Sequence, residues 1–278
     1  MSSRLDQWLG KSEVTSELLS LGLLQRVSAT LNEPTLNEGD AIPHLWQWCF
    51  FQTELPAAEL GRDGHPALGG FLPPADNRNR MWAGGRLTFI KPLRAGAVAE
   101  RTSTITSIKE KEGSTGKLLF VTVTHIYMQF NEVCIREEQD IVYREPSAPK
   151  TSSEPGMNSP DWSEEHDPST TQLFRYSAVT FNGHRIHYDF NYATETEGYG
   201  GLVTHGPLIA TFNLSAFVKA NPEKEVIEFA YRGVRPIICG QAFKVAGRIT
   251  ESGSAHLEAS NASGVAQLAT VKYVSKKN

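Results

Sequence analysis

The 278-residue chain carries 27 Lys and Arg against 31 Asp and Glu, a formal net charge of −4 at pH 7. A chain of this length can bury a sizeable core and suffices for two ordinary domains, while its charge offers no basic field for nucleic acid. The first residues lack the build of a signal peptide, and no apolar run is long enough for a membrane span, so we expect a cytoplasmic protein without membrane contact. Cys49, Cys134 and Cys239 form no CxxC pair, which predicts reduced thiols.

The first half of the chain predicts a short buried helix followed by strands. Residues 45–51 (LWQWCFF) are almost wholly apolar and are expected to form the helix. Residues 76–86 are basic and glycine-containing, which is typical of a loop. The predicted strands are residues 86–91, 98–109, 118–130 and 133–144.

A linker is predicted between the halves. Residues 146–160 are poor in apolar side chains and carry four prolines, a composition that does not build a core. We therefore expect an N-terminal domain over residues 1–146, a linker over 147–165 and a C-terminal domain over 166–278.

The second half predicts a helix that must be wrapped by a sheet. Residues 207–220 are apolar on most helical faces, begin at Gly206-Pro207 and end at Asn221-Pro222. A helix so apolar requires burial on all sides, which one curled antiparallel sheet provides. The predicted strands are residues 172–180, 226–234, 242–251 and 266–274.

Local self-similarity indicates that the chain is built twice. Residues 91–96 (KPLRAG) and 235–240 (RPIICG) share a cation, a proline, a branched aliphatic residue and a final glycine, 144 residues apart. Ile105-Thr106 and Ile249-Thr250 keep the same spacing. A repeat of about half the chain indicates a duplicated domain and not a solenoid of short repeats.

The second half also carries a cluster suited to proton transfer. His184, His187 and Asp189 lie within six residues, and imidazole is the side chain that titrates closest to neutrality. Downstream, Gly206-Pro207 places free N–H groups at a helix start, where they can hold a developing oxyanion. The pattern H-x-x-H-x-D also supplies three possible metal ligands, but no further ligand completes a recognisable metal site, so we expect none.

The order of residues from Asn182 to Gly206 resembles the signature of the MaoC-like hydratases and dehydratases of the hot-dog fold. Their signature is an acidic residue, an asparagine-proline pair, a histidine five residues after the acid, and later His-Gly at the start of the central helix. Asn182 stands here at the acid position, His187 at the histidine and His205-Gly206 at the helix start. The variant FNGHRIHYD is closer still to type 2 hydroxyacyl-thioester dehydratases and to mesaconyl-C4-CoA or itaconyl-CoA hydratases.

The resemblance implies an α+β double hot-dog, in which each half is an antiparallel sheet wrapped around a central helix. It assigns His187 as general base, Asn182 as a residue that orients water, and the N–H of Gly206 as donor to a thioester oxyanion. An amide cannot act as a base near neutral pH, so His187 works alone or His184 or Asp189 supplies the second proton role. His205 is expected to frame the substrate.

Coenzyme A is the expected acyl carrier, as part of the substrate, with no other cofactor. Arg232 and Arg235 are candidates for its phosphates, as are Lys244 and Arg248. A substrate that ends in a carboxylate needs a guanidinium partner, for which Arg80 and Arg86, flanking Trp82, are candidates. A homodimer is expected.

The resulting functional hypothesis is hydration of itaconyl-CoA or mesaconyl-C4-CoA to citramalyl-CoA. A dehydratase of linear 3-hydroxyacyl thioesters, a hot-dog thioesterase and a non-catalytic acyl-CoA-binding protein are the alternatives. Asn182 and the His-Gly-Pro helix start argue against the thioesterase, whereas Asn182 is the best argument for the non-catalytic protein.

Overall fold

A computed structural model describes residues 5–75, 78–113 and 116–276, which divide into two compact units. The first unit comprises the chain up to Ala83, Ile90–Ser147 and Tyr176–Arg185. The second comprises Gly84–Phe89, Ala148–Arg175 and the chain from Ile186 onward. The units therefore do not coincide with the two halves of the sequence. Gly84–Phe89 of the first half belongs to the second unit, and Tyr176–Arg185 of the second half belongs to the first unit.

The described part of the first half forms one α-helix and five strands, which are β1 (Ser12–Leu18), α1 (Leu21–Leu31), β2 (Asn79–Phe89), β3 (Val98–Gly113), β4 (Gly116–Gln129) and β5 (Glu132–Arg144). An antiparallel sheet in the order β1-β3-β4-β5 builds the first unit. Side chains of β4 alternate strictly between buried and less buried, from Leu119 to Gln129, as a sheet with one core face requires. The prediction of β3 to β5 is confirmed, whereas β1 and α1 were not predicted.

Two predictions in the first half were wrong in detail. The apolar segment 45–51 is buried as expected, but only Trp46–Cys49 is helical, as a 3-10 turn. Leu45 and Phe51 have φ values of 71° and 61°, which end a right-handed helix on both sides. The predicted loop 76–86 is instead mostly strand, because β2 begins at Asn79; Asp76 and Asn77 lie outside the described residues.

The second unit wraps a sheet around one helix, and the predicted buried helix is confirmed. The helices and strands of the second half are β6 (Trp162–His166), α2 (Thr170–Val179), α3 (Gly206–Ala220), β7 (Lys224–Gly233), β8 (Phe243–Glu251), β9 (Ser254–Asn261) and β10 (Gly264–Ser275). Helix α3 contacts five strands of an antiparallel sheet with the order β7-β10-β9-β8-β6. Residues 84–88 of β2 extend this sheet beside β7. Ten α3 residues are buried. Strands β6 and β9 were not predicted.

The predicted strand 172–180 is wrong, because this segment forms α2. Its buried residues are Leu173, Tyr176, Ser177 and Val179, and Thr180 just beyond its end is buried as well. Leu173, Tyr176, Ser177 and Thr180 follow the i, i+3, i+4, i+7 spacing of a helix with one core face. Its hydroxyl, aromatic and β-branched residues suggested a strand, but this spacing governs the structure. The chain beyond α2 is therefore a helix end and short turns, and not a β-rich segment.

Backbone conformation supports the duplication. Gly96 and Gly240 end the two matched segments, and both have φ of 82°, a left-handed conformation that favours glycine. Helices α1 and α2 are likewise followed by left-handed residues, Asn32 (φ 57°) and Phe181 (φ 47°). Each half therefore repeats a helix with a left-handed end and, later, a turn closed by glycine.

The linker segment 146–160 contains no helix or strand in the structure. It is nevertheless attached to the second unit, since the N–H of Ser153 donates to the carbonyl of Ser263 (3.0 Å) and the N–H of Val265 donates to the carbonyl of Glu154 (2.9 Å).

Candidate active site

His187 is held in one tautomer by a backbone carbonyl. It ends a 3-10 turn (Arg185–His187) and is 6% exposed. Its Nδ1 lies 2.7 Å from the carbonyl oxygen of Val203. Because a carbonyl only accepts, Nδ1 carries the proton, and Nε2 of the neutral ring keeps its lone pair. The arrangement suits Nε2 for taking a proton from water.

His205 stacks directly on His187. The ring centroids are 3.6 Å apart and the planes differ by 18°. His205 is fully buried and occupies the N-cap position of α3, where its carbonyl accepts from the N–H of Ile209 (3.1 Å). The stack therefore fixes His187 relative to the start of α3, and the framing role of His205 stays a prediction.

Gly206 opens α3 with free space beside it. Apart from its chain neighbours and the backbone of its own helix, no described heavy atom lies within 4 Å of the position that a Cβ would occupy. Its carbonyl accepts from Nε2 of Gln267 (3.0 Å), and Oε1 of Gln267 accepts from Nδ2 of Asn213 (3.1 Å). These two buried amides, which the sequence did not single out, pin the helix start whose N–H groups can stabilise an oxyanion.

Asp189 serves the local backbone. Its Oδ1 accepts from the N–H of Tyr192 (3.0 Å), and its carbonyl accepts from the N–H of Ala193 (2.9 Å). It thereby starts a turn of π-helix over Tyr192–Thr196. These hydrogen bonds are those of a turn residue, which this geometry fits better than a proton-transfer role for Asp189.

Asn182 and His184 lie in the first unit. Oδ1 of half-buried Asn182 accepts from the N–H of His184 (2.9 Å), which turns the chain after α2. The ring of His184 is 6% exposed and lies 4.4 Å, between centroids, from the ring of His65. Nδ1 of His65 in turn lies 3.0 Å from Oδ2 of Asp63. The sequence reading missed Asp63 and His65, whose only signal is a carboxylate and an imidazole two residues apart.

The candidate residues for a substrate carboxylate lie on strand β2. The positive charge of Arg80 lies near enough to His65 to lower the pKa of that imidazole, after burial, the larger cause. Trp82 packs edge-on against Trp48, with ring centroids 5.0 Å apart. Arg86, which belongs to the second unit, is exposed.

The two candidate arginines for CoA phosphates differ in surroundings. Arg235 is buried and donates to the carbonyls of Pro236 (3.1 Å) and Gly264 (2.5 Å) and to Asn261, so it ties its segment to the β9–β10 hairpin. Arg232 is exposed and lines a cleft of about 710 Å³, together with Lys150, Ser152 and Ser153 and with the acidic residues Glu154 and Glu258. Arg232 is therefore the more accessible of the two arginines, although the two glutamates oppose an anionic ligand in this cleft.

The other cations suggested for CoA lie on β8. Lys244 is exposed, while the guanidinium of Arg248 donates to the carbonyls of Asn158 and Ser159, the latter at 2.7 Å.

A helix wrapped by an antiparallel sheet, with a tautomer-fixed histidine and a glycine at the helix start, defines a hot-dog hydratase or dehydratase. The type 2 hydroxyacyl-thioester dehydratase family matches residues 45–239, and the chain belongs to this family. It is 40% identical over 250 residues to the mesaconyl-C(4)-CoA hydratase of Chloroflexus aurantiacus. The matched region covers 87% of this chain and 88% of that protein.

A second relative and a solved structure agree with this assignment. The mitochondrial hydroxyacyl-thioester dehydratase type 2 of Schizosaccharomyces pombe is 29% identical over 241 residues, 75% of this chain and 78% of that protein. The crystal structure of a MaoC-like dehydratase from Phytophthora capsici superposes with a TM-score of 0.70 at 14% identity, covering 99% of this chain and 100% of that one. The double hot-dog fold and the hydro-lyase class of the enzyme are thereby confirmed. No helix among the described residues is long and apolar enough to cross a membrane.

Proposed function

We propose that this enzyme adds water to the double bond of a short dicarboxylic enoyl-CoA, mesaconyl-C4-CoA or itaconyl-CoA, to give citramalyl-CoA. The observation that carries the chemistry is the tautomer of His187, whose Nδ1 is held by Val203 so that Nε2 accepts a proton. The substrate class is supported by the 40% identity to a hydratase named for mesaconyl-C(4)-CoA.

In the proposed reaction, Nε2 of His187 takes a proton from water as the oxygen bonds to the β-carbon. Such general base catalysis is typically worth about 10²–10⁴-fold in rate. Asn182 orients the water through its amide and takes no proton. The N–H of Gly206 donates to the thioester oxygen, where charge develops, and a donor of this kind is worth about 10²–10³-fold.

We propose further contacts with the acyl group, the free carboxylate and the CoA phosphates of the substrate. His184, His205 and Trp82 border the acyl group. Either Arg80 or Arg86 pairs with the free carboxylate of the substrate. Arg232 and Lys150 bind the phosphates of CoA. The reaction needs no metal and no cofactor beyond the CoA of its substrate. We propose a cytoplasmic homodimer.

An assay with three thioesters tests the proposal. The protein is incubated separately with itaconyl-CoA, mesaconyl-C4-CoA and crotonyl-CoA, and the masses of the products are measured by mass spectrometry. Gain of one water on the dicarboxylic substrates is expected. Preference for crotonyl-CoA would favour a dehydratase of linear chains, release of CoA would indicate a thioesterase, and unchanged substrates would indicate binding alone.

The carboxylate contact has its own test. Because a charge-assisted hydrogen bond contributes roughly 1.5–3 kcal/mol, Arg80→Ala or Arg86→Ala is expected to lower kcat/KM for itaconyl-CoA by about 10–100-fold. The same change leaves crotonyl-CoA nearly unaffected, since that substrate has no second carboxylate. Equal loss on both substrates would assign the arginine to CoA binding or to folding.

A further inference from the structure

The loop at residues 61–66 places a carboxylate and an imidazole against residues 183–185 of the motif at residues 182–187. Asp63, His65 and His184 all belong to the first unit, and atoms of the three that can bind a proton or a metal lie within 4.8 Å of one another. Oδ2 of Asp63 faces Nδ1 of His65 at 3.0 Å, and His65 packs on the ring of His184. The cluster is a carboxylate and two imidazoles in series.

The loop is held on the motif by backbone contacts that leave no room for side chains. The N–H of Arg185 donates to the carbonyl of Asp63 (2.9 Å). Gly64 has φ of 88°, and a Cβ there would lie 1.9 Å from the carbonyl oxygen of Gly183. A Cβ on Gly183 would lie 2.5 Å from the carbonyl oxygen of Gly64. The two glycines therefore let the loop approach until Asp63 and His65 reach His184.

Charges in the cluster favour a proton on His184. Burial and the nearby charge of Arg80 lower the pKa of His65, so this ring is neutral near pH 7 and donates Nδ1–H to Asp63. Burial alone would raise the pKa of Asp63, but the hydrogen bond and charge of His65, with a contribution from the charge of His184, lower it below its usual range. Because the attraction between two charges is mutual, ionised Asp63 favours the imidazolium form of His184, whereas the burial of that ring opposes it.

Hydration needs a second proton group besides His187. When His187 takes a proton and the water oxygen bonds to the β-carbon, the double-bond electrons move to the α-carbon, which must then gain a proton. Asn182 has none to give. Asp189 is engaged at the start of its π-helical turn. His184 is the titratable residue of the motif that remains for this step.

We propose that His184 donates the proton to the α-carbon, and that Asp63 and His65 are positioning residues that orient its ring and favour its imidazolium form. The proposal rests on the hydratase function proposed above. His187 releases its proton to solvent and His184 regains one from solvent, so the reaction consumes only water. In the reverse dehydration His184 removes the α-proton.

Two other roles for the cluster lead to different results. One carboxylate and two imidazoles suit a divalent metal such as zinc, although the charge of Arg80 opposes a cation beside His65. Alternatively, Asp63 serves the loop alone, since its Oδ1 also accepts from the N–H of His65 (3.1 Å).

The decisive variant is Asp63→Asn, which keeps the shape and removes the charge. Its kcat for hydration is compared with that of the wild type at each pH from 6 to 8.5. We expect a loss of about 10–100-fold at pH 8 that shrinks several-fold towards pH 6, where bulk protons maintain the imidazolium. Asp63→Glu restores part of the activity. Leu68→Ala, an exposed change in the neighbouring loop, is the matched control and leaves kcat unchanged.

A loss that is equal at every pH would assign Asp63 to loop structure and overturn the proposal, as would no loss. Nitrogen NMR of the histidine rings gives a readout independent of activity: in Asp63→Asn the protonation midpoint of His184 moves to lower pH. If the wild type hydrates no enoyl-CoA, the proposed function fails while this NMR shift remains measurable. One equivalent of divalent metal in the purified protein, lost in His65→Ala, would make the cluster a metal site instead.

Discussion

His187 is the residue on which the proposed chemistry depends most. His187→Ala removes the proton acceptor while Gly206 and its supporting amides remain, so we expect a fall in kcat of at least about 10²-fold with the fold retained. Steady-state kinetics and circular dichroism measure both. His256→Ala, a histidine change on β9 outside the motif, is the control and keeps its turnover. Turnover near that of the wild type in His187→Ala would remove this residue from the mechanism.

Asn182 stands where the resemblance places an acidic residue. Its Oδ1 accepts from the N–H of His184, and a carboxylate preserves this acceptor whereas alanine does not. We therefore expect Asn182→Asp to remain active and Asn182→Ala to lose turnover by about tenfold or more. Measured kcat values with hydrogen-exchange protection of the 182–187 turn separate the two. Equal activity of both variants would show that the water is oriented by another group.

The contact between the motif and the loop at residues 61–66 depends on Gly183. In Gly183→Ala the new Cβ would meet the carbonyl oxygen of Gly64 at 2.5 Å, and backbone atoms yield little. We expect a cost of about 1–3 kcal/mol in the free energy of unfolding, together with reduced turnover, measured by urea denaturation and kinetics. Gly200→Ala is the matched control, because apart from its chain neighbours no described heavy atom lies within 4 Å of its Cβ position. Unchanged stability and activity in Gly183→Ala would mean that the loop is not held by this approach.

The sequence predicted those elements whose hydrophobic pattern is local and regular. Strands β3 to β5, of which β4 alternates strictly, and the apolar helix α3 are of this kind. Helix α2 was mistaken for a strand, because its aromatic and β-branched composition favours strands while the spacing of Leu173 and Tyr176 favours a helix. The 3-10 turn at Trp46 depends on left-handed residues on either side, which no periodicity reveals.

The site was predictable only where residues are close in the sequence. The order from Asn182 to Gly206 indicated His187 and the helix start. The contacts of Gln267 with Gly206 and of His65 with His184 join residues far apart in the chain. Such contacts exist only after the sheet and loops have folded, so residue types and spacing carried no signal for them.

The whole protein is expected to lose stability in acid because of a buried neutral histidine. His125 contacts Ser103 (2.9 Å) and Gln139 (3.2 Å), and Tyr127 packs beside it. Burial, followed by the charge of Arg101, lowers its pKa from 6.5 to about 3, although the hydrogen bond with Gln139 opposes this shift. Between these two pH values the unfolded chain binds a proton that the folded chain does not.

The contribution of His125 to stability is therefore complete above pH 6.5 and declines as the pH falls towards 3, by up to about 1.4 kcal/mol per pH unit. His125→Gln removes this proton uptake, so we expect its unfolding free energy to fall less steeply than that of the wild type between pH 6.5 and 4. Urea denaturation at half-unit pH steps measures the slope. Above pH 7.5 the two curves should run parallel, because His125 is then neutral in the folded and in the unfolded chain, and this range is the internal control. His166, whose pKa burial lowers to about 4, keeps a residual slope in the variant. Identical slopes in wild type and variant would show that His125 already binds a proton in the folded protein.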